Sequence, residues 1–177
     1  WGVSVEDVNA DGFEDVFITS SMNYPWSYWP NSLRLNEKGR KFIEVAGLLN
    51  IEPRENEKTM VPIFSRDCAT EYSKRDCNEK RTGVIEVFGS LGSRSSAIFD
   101  IDNDGDLDIV TNEHYARPQI LMSNLAQKKS INYVKLRFRG VKNNRSGVGT
   151  TIEVLLPDGQ TLHRVYDGKS GFLSQSD

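Results

Sequence analysis

The sequence has little of what transition-metal and thiol chemistry uses. It contains two cysteines and two histidines in 177 residues. Eight residues separate Cys68 from Cys77, which is not zinc-finger spacing, and both His114 and His163 are distant from that pair in the sequence. These residues therefore predict neither a zinc finger nor a histidine-rich metal site. The cysteines either close a small loop through a disulfide or are two buried or free thiols.

Long apolar runs and recognisable catalytic motifs are also missing. No stretch is apolar enough to predict a membrane span, and no nucleophile elbow is present, so we expect a chain that is not an enzyme. With 177 residues, a net charge of −3 and 27% charged residues, the chain is long enough for one or two domains with a real core. It starts at Trp1, inside a strand pattern and without an initiator methionine, so we expect a fragment or a processed protein.

What the sequence does contain is a short acidic pattern that occurs twice. Residues 100–108 read Asp-Ile-Asp-Asn-Asp-Gly-Asp-Leu-Asp, and residues 7–15 read Asp-Val-Asn-Ala-Asp-Gly-Phe-Glu-Asp. Two like charges ~4 Å apart repel by ~4 kcal/mol at an effective dielectric near ~20, so such a loop makes physical sense around a cation. Oxygen ligands in flexible geometry favour calcium over magnesium. The alternative is an acidic surface turn without an ion.

The pattern differs from an EF-hand, which requires a bidentate glutamate at position twelve. Thr111 and Ile18 occupy that position here. Short apolar runs rich in β-branched and aromatic residues flank both loops, which predicts a strand on each side instead of a helix. We therefore expect both loops to connect adjacent antiparallel strands, with helix scarce throughout.

The two acidic stretches belong to a larger internal repeat. The loops match at an offset of 93 residues, and the segments that follow them match at an offset of 88. In those segments, Pro30, Leu33 and Asn36 match Pro118, Leu121 and Asn124. A repeat of this size is a whole supersecondary unit.

The repeated unit, at about residues 1–49 and 94–124, resembles the FG-GAP or VCBS repeat of integrin-type β-propellers. The resemblance implies an all-β fold with a partial β-propeller. Two blades cannot close a ring of ~4–8, so either further blades lie outside this sequence or the fold is not a propeller. In that family, positions one, three, five and nine bind calcium through side chains, and position seven through its carbonyl. The implied ligands of two calcium ions are Asp7, Asn9, Asp11, Asp15 and the Phe13 carbonyl, then Asp100, Asp102, Asp104, Asp108 and the Asp106 carbonyl.

An insertion at about residues 51–94 separates the two repeats. From Glu52 to Arg81 its charges are mixed in sign and show little periodicity, which predicts a solvated loop. The run from Val84 to Phe88 predicts a strand that rejoins the sheet. An aromatic stretch in the first repeat, residues 22–30, either packs on its own blade or binds a ligand such as a sugar.

A basic segment, residues 128–145, contains seven lysines and arginines and no acid. Within it Val134, Leu136 and Phe138 alternate with basic residues, which predicts a strand with one buried and one charged face. Such a face is usually only solvated, although an acidic glycan or a phosphate backbone is an alternative partner. Because the chain overall is acidic, we expect no nucleic-acid partner.

The chain from Leu136 to its end resembles the ASPIC/UnbV domain, which follows VCBS repeats in secreted bacterial proteins and in the cartilage acidic protein family. The resemblance rests on Asn-Asn-Arg-Ser-Gly-Val-Gly at residues 143–149 and Gly-Lys-Ser-Gly-Phe-Leu-Ser-Gln at residues 168–175. It implies a small β-rich domain at residues 128–177, after a propeller part at residues 1–127. Members usually continue with a further strand region, so we expect this domain to be truncated.

Together the resemblances imply a protein that is secreted, periplasmic or at the cell surface. We expect two calcium ions that stabilise the loops, and a Cys68–Cys77 disulfide suited to an oxidising exterior. The expected role is adhesion or recognition of a protein or glycan partner, without catalysis. The alternative is an accessory, non-catalytic part of a secreted carbohydrate-active enzyme.

Overall fold

A computed structural model describes residues 2–20, 28–54, 59–71, 73, 75–77, 82–114 and 116–168. Within these ranges the chain is all-β, with eleven strands and no helix. The strands form four small antiparallel sheets, and none of these sheets closes into a ring. The predicted all-β class and the scarcity of helix are confirmed for this part of the chain.

The first repeat folds into a four-stranded antiparallel meander in the order β1-β2-β3-β4. Its strands are β1 (Val3–Glu6), β2 (Asp15–Ile18), β3 (Ser32–Asn36) and β4 (Phe42–Glu44). Phe17 on β2 is opposite Leu33 on β3, and both side chains are buried, as expected for alternating strands with one face in the core. The first acidic loop, residues 7–15, connects β1 to β2.

The second repeat forms a three-stranded antiparallel sheet in the order β7-β8-β9. Its strands are β7 (Ser93–Phe99), β8 (Asp108–Glu113) and β9 (Gln119–Leu121). The second acidic loop, residues 100–108, connects β7 to β8 as the first connects β1 to β2. The prediction that both loops join adjacent antiparallel strands is confirmed.

The two repeat sheets meet along β1 and β7 and share one core. The Ser4 and Ser96 hydroxyl oxygens lie 2.7 Å apart across this contact, and both residues are buried. The buried apolar residues of the core come from both sheets and from the turn after β4: Phe17, Leu33, Val45, Ala46, Ile51, Ile98 and Ile109.

The insertion contains more regular structure than its sequence indicates. Strands β5 (Met60–Asp67) and β6 (Val84–Ser90) form a two-stranded sheet of their own. The prediction of a solvated loop from Glu52 to Arg81 is therefore wrong for β5. The predicted strand at Val84 exists, but it pairs with β5 and does not rejoin the repeat sheets. The continuous apolar run from Met60 to Phe64 could have indicated a strand, although charges surround it.

The predicted disulfide lies at the far end of the β5–β6 sheet. Cys68 and Cys77 are bonded, with their Cα atoms 5.6 Å apart. Cys77 is 2% exposed, and no free cysteine remains. The disulfide is confirmed, and it closes the turn that follows β5.

The C-terminal region contributes β10 (Thr150–Leu155) and β11 (Thr161–Tyr166), which pair as a hairpin around the turn at Gly159. We call this pair the C-terminal hairpin. The strand predicted across Val134, Leu136 and Phe138 is absent, and the side chains of Val134 and Leu136 are 79% and 51% exposed. Among the described residues no neighbouring strand pairs with this segment, so its alternation buries no complete face.

Candidate metal centre

The second acidic loop gathers three carboxylates around one point. Asp100, Asp102 and Asp108 each offer an oxygen within 4.8 Å of the oxygens offered by the other two. The backbone N–H of Asp104 donates to Asp100 Oδ1 at 3.1 Å and to Asp102 Oδ1 at 3.3 Å. Gly105 has a φ of +95°, a left-handed conformation that glycine adopts without steric cost. The loop backbone therefore wraps around its own acids.

The first acidic loop has the same backbone frame. The N–H of Asp11 donates to Asp7 Oδ1 and to Asn9 Oδ1, each at 3.0 Å, and Gly12 has a φ of +94°. Its side chains differ, because Asn9 Nδ2 donates to Asp11 Oδ2 at 3.1 Å. A cluster of three acids with mutually close oxygens, as in the second loop, is not found among its described residues.

The ninth residue of each loop is a buried aspartate that fixes the loop to its sheet. Asp15 and Asp108 are both 1% exposed. Asp15 accepts hydrogen bonds from the N–H groups of Val8 and Asn36, at 3.0 and 2.7 Å. Asp108 accepts the two corresponding hydrogen bonds from the N–H groups of Ile101 and Ser123, at 2.9 and 2.8 Å.

These hydrogen bonds correct the register of the internal repeat. The backbone N–H groups of Asn36 and Ser123 make equivalent hydrogen bonds to the ninth-position aspartates, so the structural counterpart of Asn36 is Ser123. The sequence repeat instead indicates Asn124, one residue later. The strand pairing agrees, because Val16 is opposite Arg34 and the equivalent Ile109 is opposite Leu121. Leu33 and Leu121 are therefore not equivalent positions. The connection between the second and third strands is one residue shorter in the second copy than the sequence match suggests.

The electrostatics of both loops favour a bound cation. Burial raises the pKa of the Asp15 carboxyl to about 6, against the hydrogen bonds that lower it, and the carboxylates of Asp7 and Asp11 raise it further. The hydrogen bond from the Asp106 N–H lowers the pKa of Asp104, but desolvation and the neighbouring carboxylates together keep it raised. A cation beside these groups would oppose both effects, because it stabilises the ionised form.

Asp106, the seventh residue of the second loop, has a buried side chain. It is 2% exposed, and its Oδ2 accepts the N–H of Ala126 at 2.8 Å. Its Oδ1 is buried and has no hydrogen-bond partner. A buried carboxylate oxygen without a partner is costly. The sequence indicated only the carbonyl of this residue as a ligand and gave no sign that the side chain would be buried.

The donor set of the second loop fits calcium. All candidate donors are oxygens, as calcium prefers, and four of the side chains are carboxylates. No lysine or arginine of the described residues forms an ion pair with Asp100, Asp102, Asp104 or Asp108. The first loop is less acidic, and its Glu14 lies 3.3 Å from Arg164 Nε.

A buried polar network that the sequence did not reveal lies beside the core. Arg54 Nη1 lies 2.5 Å from Glu113 Oε2, and Arg54 Nη2 donates to Ser93 Oγ at 3.0 Å. Tyr28 donates its hydroxyl proton to Glu52, and this contact links the end of the aromatic stretch to the same network. Arg54 pairs with the carboxylates of Glu52 and Glu113, and hydroxyl and backbone donors supply their remaining hydrogen bonds, so the network is a structural link between the insertion and β8. Glu52 and Arg54 lie in the mixed-charge insertion, which carries no local signal of burial, and their partners lie elsewhere in the chain.

The basic segment forms one wall of a cavity of about 1030 Å³. The cavity is lined by Arg137, Phe138, Arg139, Gly140, Val141 and Arg145. The arginine side chains are exposed and make no ion pair with a described residue. Of the aromatic stretch, residues 22–27 lie outside the described residues, as do residues 169–175 of the glycine-rich motif.

Comparison with known proteins identifies one part of the chain. The family model described as ASPIC and UnbV matches residues 140–177. The expected C-terminal domain is therefore supported, although the match begins after residue 128, the expected boundary. No curated protein and no solved structure matches the chain. In the described part of the chain, no helix has the length and apolar character needed to cross a membrane.

Proposed function

We propose that this chain is a calcium-binding part of an extracellular β-propeller protein that acts in adhesion or recognition without catalysis. It would combine FG-GAP/VCBS blades with an ASPIC/UnbV-like domain, as in the cartilage acidic protein family. The observation that carries the proposal is the group of close, unneutralised carboxylates of Asp100, Asp102 and Asp108. Calcium would bind there and at Asp7, Asn9, Asp11 and Asp15, with the carbonyls of Phe13 and Asp106 as further ligands.

Several features support the extracellular and structural character of this role. The Cys68–Cys77 disulfide suits an oxidising compartment. The two antiparallel repeat sheets meet along their first strands, β1 and β7, which is compatible with adjacent blades. A metal site that is absent in the unfolded chain contributes its binding energy to folding, so calcium would stabilise the meanders that carry the loops.

Calorimetric calcium titration of the intact protein tests the proposal. We expect two sites, little response to magnesium at equal concentration, and a midpoint of thermal unfolding that rises with calcium. The double variant Asp100→Asn/Asp102→Asn should lose the site of the second loop. Asp158→Asn is the matched control, because Asp158 is an exposed aspartate in the hairpin turn. Absence of any calcium effect on the wild-type protein would refute the proposal.

A second candidate function is an accessory role in a secreted carbohydrate-active enzyme. The observation that favours it is the cavity whose wall carries Arg137, Arg139 and Arg145. Guanidinium groups bind carboxylates in bidentate geometry, and Phe138 and Val141 offer apolar contact, so the ligand class would be a glycan rich in uronic acids.

Binding of a polyuronate and of a neutral polysaccharide separates this candidate from the first. We expect the polyuronate alone to bind, with affinity that decreases with salt. The variant Arg137→Ala/Arg139→Ala should lose binding, whereas Lys135→Ala/Lys142→Ala, which removes the same number of charges outside the cavity lining, should retain most of it. Equal binding by both variants would attribute the interaction to net charge and exclude the cavity.

A further inference from the structure

C-terminal side chains cover both acidic loops at the same position, the glycine in the sixth place. A Cβ atom placed on Gly105 would lie 2.5 Å from Cε1 of Tyr133, so the Tyr133 ring packs directly on the second loop. A Cβ atom placed on Gly12 would lie 3.4 Å from Cδ2 of Leu162, a residue of β11. Gly105 thus allows both the turn and the close approach of the Tyr133 ring, whereas Leu162 lies at ordinary van der Waals distance from the place of a Cβ atom on Gly12.

Polar contacts to the first loop come from the same part of the chain. Lys129 Nζ donates to the carbonyl oxygens of Asn9 and Ala10, at 2.6 and 3.0 Å. Arg164 Nη2 donates to the Gly12 carbonyl at 3.5 Å, and its Nε lies 3.3 Å from Glu14. Three of these acceptors are loop carbonyls, so the backbone conformation of the loop determines whether the contacts form.

The second loop also holds the start of the segment that leads to the C-terminal hairpin. Asp108 and Asp106 accept the N–H groups of Ser123 and Ala126, each at 2.8 Å. The other Asp106 oxygen is buried without a partner. The residues that shape the acidic loops therefore also position the chain that leaves β9.

We infer that the C-terminal hairpin docks on the first acidic loop through Leu162, that the segment before it docks on the second loop through Tyr133, and that calcium occupancy controls both contacts. The inference rests on the proposed function, because it requires that the loops bind calcium. Without an ion the carboxylates of each loop repel one another. An ion that holds them together fixes the carbonyls and glycines that Lys129, Leu162 and Tyr133 contact.

Coupling between two sites is reciprocal. If calcium strengthens docking by a given factor, loss of docking must weaken calcium binding by that same factor. This reciprocity provides the test. Lys129 and Arg164 are poor probes, because their charges change calcium affinity directly. Tyr133 and Leu162 are neutral and contact no candidate ligand side chain through charge, so truncating them isolates the docking contribution.

The experiment is a calcium titration of the whole chain with Tyr133→Ala or Leu162→Ala. Matched controls are Val134→Ala and Val165→Ala, because these neighbouring side chains are 79% and 62% exposed. We expect Tyr133→Ala to weaken one site and Leu162→Ala the other, each roughly fivefold or more, without a change in the number of sites. The controls should match the wild type.

Hydrogen exchange of the wild-type protein provides a second readout that needs no variant. Amides of β10 and β11 should exchange more slowly in calcium than in a chelator. If the wild type binds calcium but hairpin exchange and the affinities of both variants do not change, the docking inference is wrong and the proposed function stands. If the wild type binds no calcium, the proposed function and this inference fail together.

Discussion

The first and second acidic loops share one backbone and differ in their side chains. In both, the fourth residue and the sixth-position glycine have positive φ, and a buried aspartate in the ninth position accepts two backbone N–H groups. The second loop groups three carboxylates, whereas in the first Asn9 donates to Asp11 and neutralises part of the repulsion. The backbone frame is therefore independent of how much negative charge the loop carries.

This difference separates two roles that the repeat combines. The aspartates in the ninth position serve the protein chain, since they satisfy backbone donors whether or not an ion binds. The residues in the first, third and fifth positions would bind the cation of the proposed function, and only in the second loop are all three of them carboxylates. We therefore expect the largest effects from variants of the ninth-position aspartates, which the loops share, and smaller effects from variants at positions where the loops differ.

Replacing either ninth-position aspartate by alanine should cause the largest loss of stability. Asp108→Ala leaves the N–H groups of Ile101 and Ser123 without an acceptor, and we expect a loss of about 3 kcal/mol in urea unfolding with a chelator present. Asp15→Ala should cause a similar loss of stability, because it removes the two equivalent hydrogen bonds of the first loop. Asp104→Ala, at an exposed site, is the control and should cost much less. A difference above ~1 kcal/mol between the first two variants would show that the frames are not equivalent.

Calcium affinity should differ between the loops by roughly tenfold, in favour of the second, because ligand charge tunes such sites. Titration of Asp11→Ala, which keeps the second loop intact, should therefore give tighter binding than titration of Asp104→Ala. In saturating calcium, Asp104→Ala should also lower the thermal midpoint more than Asn9→Ala does. If the protein that keeps only the first loop binds more tightly, rigidity rather than charge determines affinity.

The smallest effect concerns the fourth residue of each loop. Ala10 has a φ of +51° and Asn103 a φ of +62°, and the left-handed region costs alanine about 1 kcal/mol more than asparagine. Ala10→Asn should therefore raise the free energy of unfolding by about 1 kcal/mol, measured without calcium. Asn103→Ala should lower it by a similar amount. Equal stability of the wild type and both variants would mean that surrounding contacts offset the cost of the left-handed conformation.

Features set by short-range pattern could be predicted from the sequence, and features set by distant contacts could not. The acidic loops and their flanking strands follow from local spacing, whereas the Cys68–Cys77 disulfide was predicted from the cysteine pair together with the resemblance to extracellular proteins. The expected strand at residues 134–138 failed because alternation buries a face only when a neighbouring strand pairs with it. The burial of Arg54 depends on Glu113 and Ser93, which are far away in the sequence and give its segment no local signal.

The register of the internal repeat is a second feature that the sequence could not predict. The sequence match aligned Asn36 with Asn124, since both are asparagines. The structure instead aligns Asn36 with Ser123, because the contact to the ninth-position aspartate uses a backbone N–H that any residue except proline provides. Side-chain identity therefore misplaced an equivalence that the main chain determines. The same argument explains why burial of the Asp106 side chain could not be foreseen.

The contacts that Lys129 and the C-terminal hairpin make with the first loop have a consequence for the order of folding. Arg164 and Gly12 are 152 residues apart, and Lys129 and Asn9 are 120 apart, whereas the meander β1–β4 forms within residues 3–44. Distant contacts slow folding more than they reduce final stability, because the entropy of closing a loop grows only slowly with its length. During synthesis the first meander would emerge and fold before residues 129–164 were made, with its acidic loop uncovered until then. Calcium in the surrounding solution would then reach that loop before the C-terminal residues that later cover it.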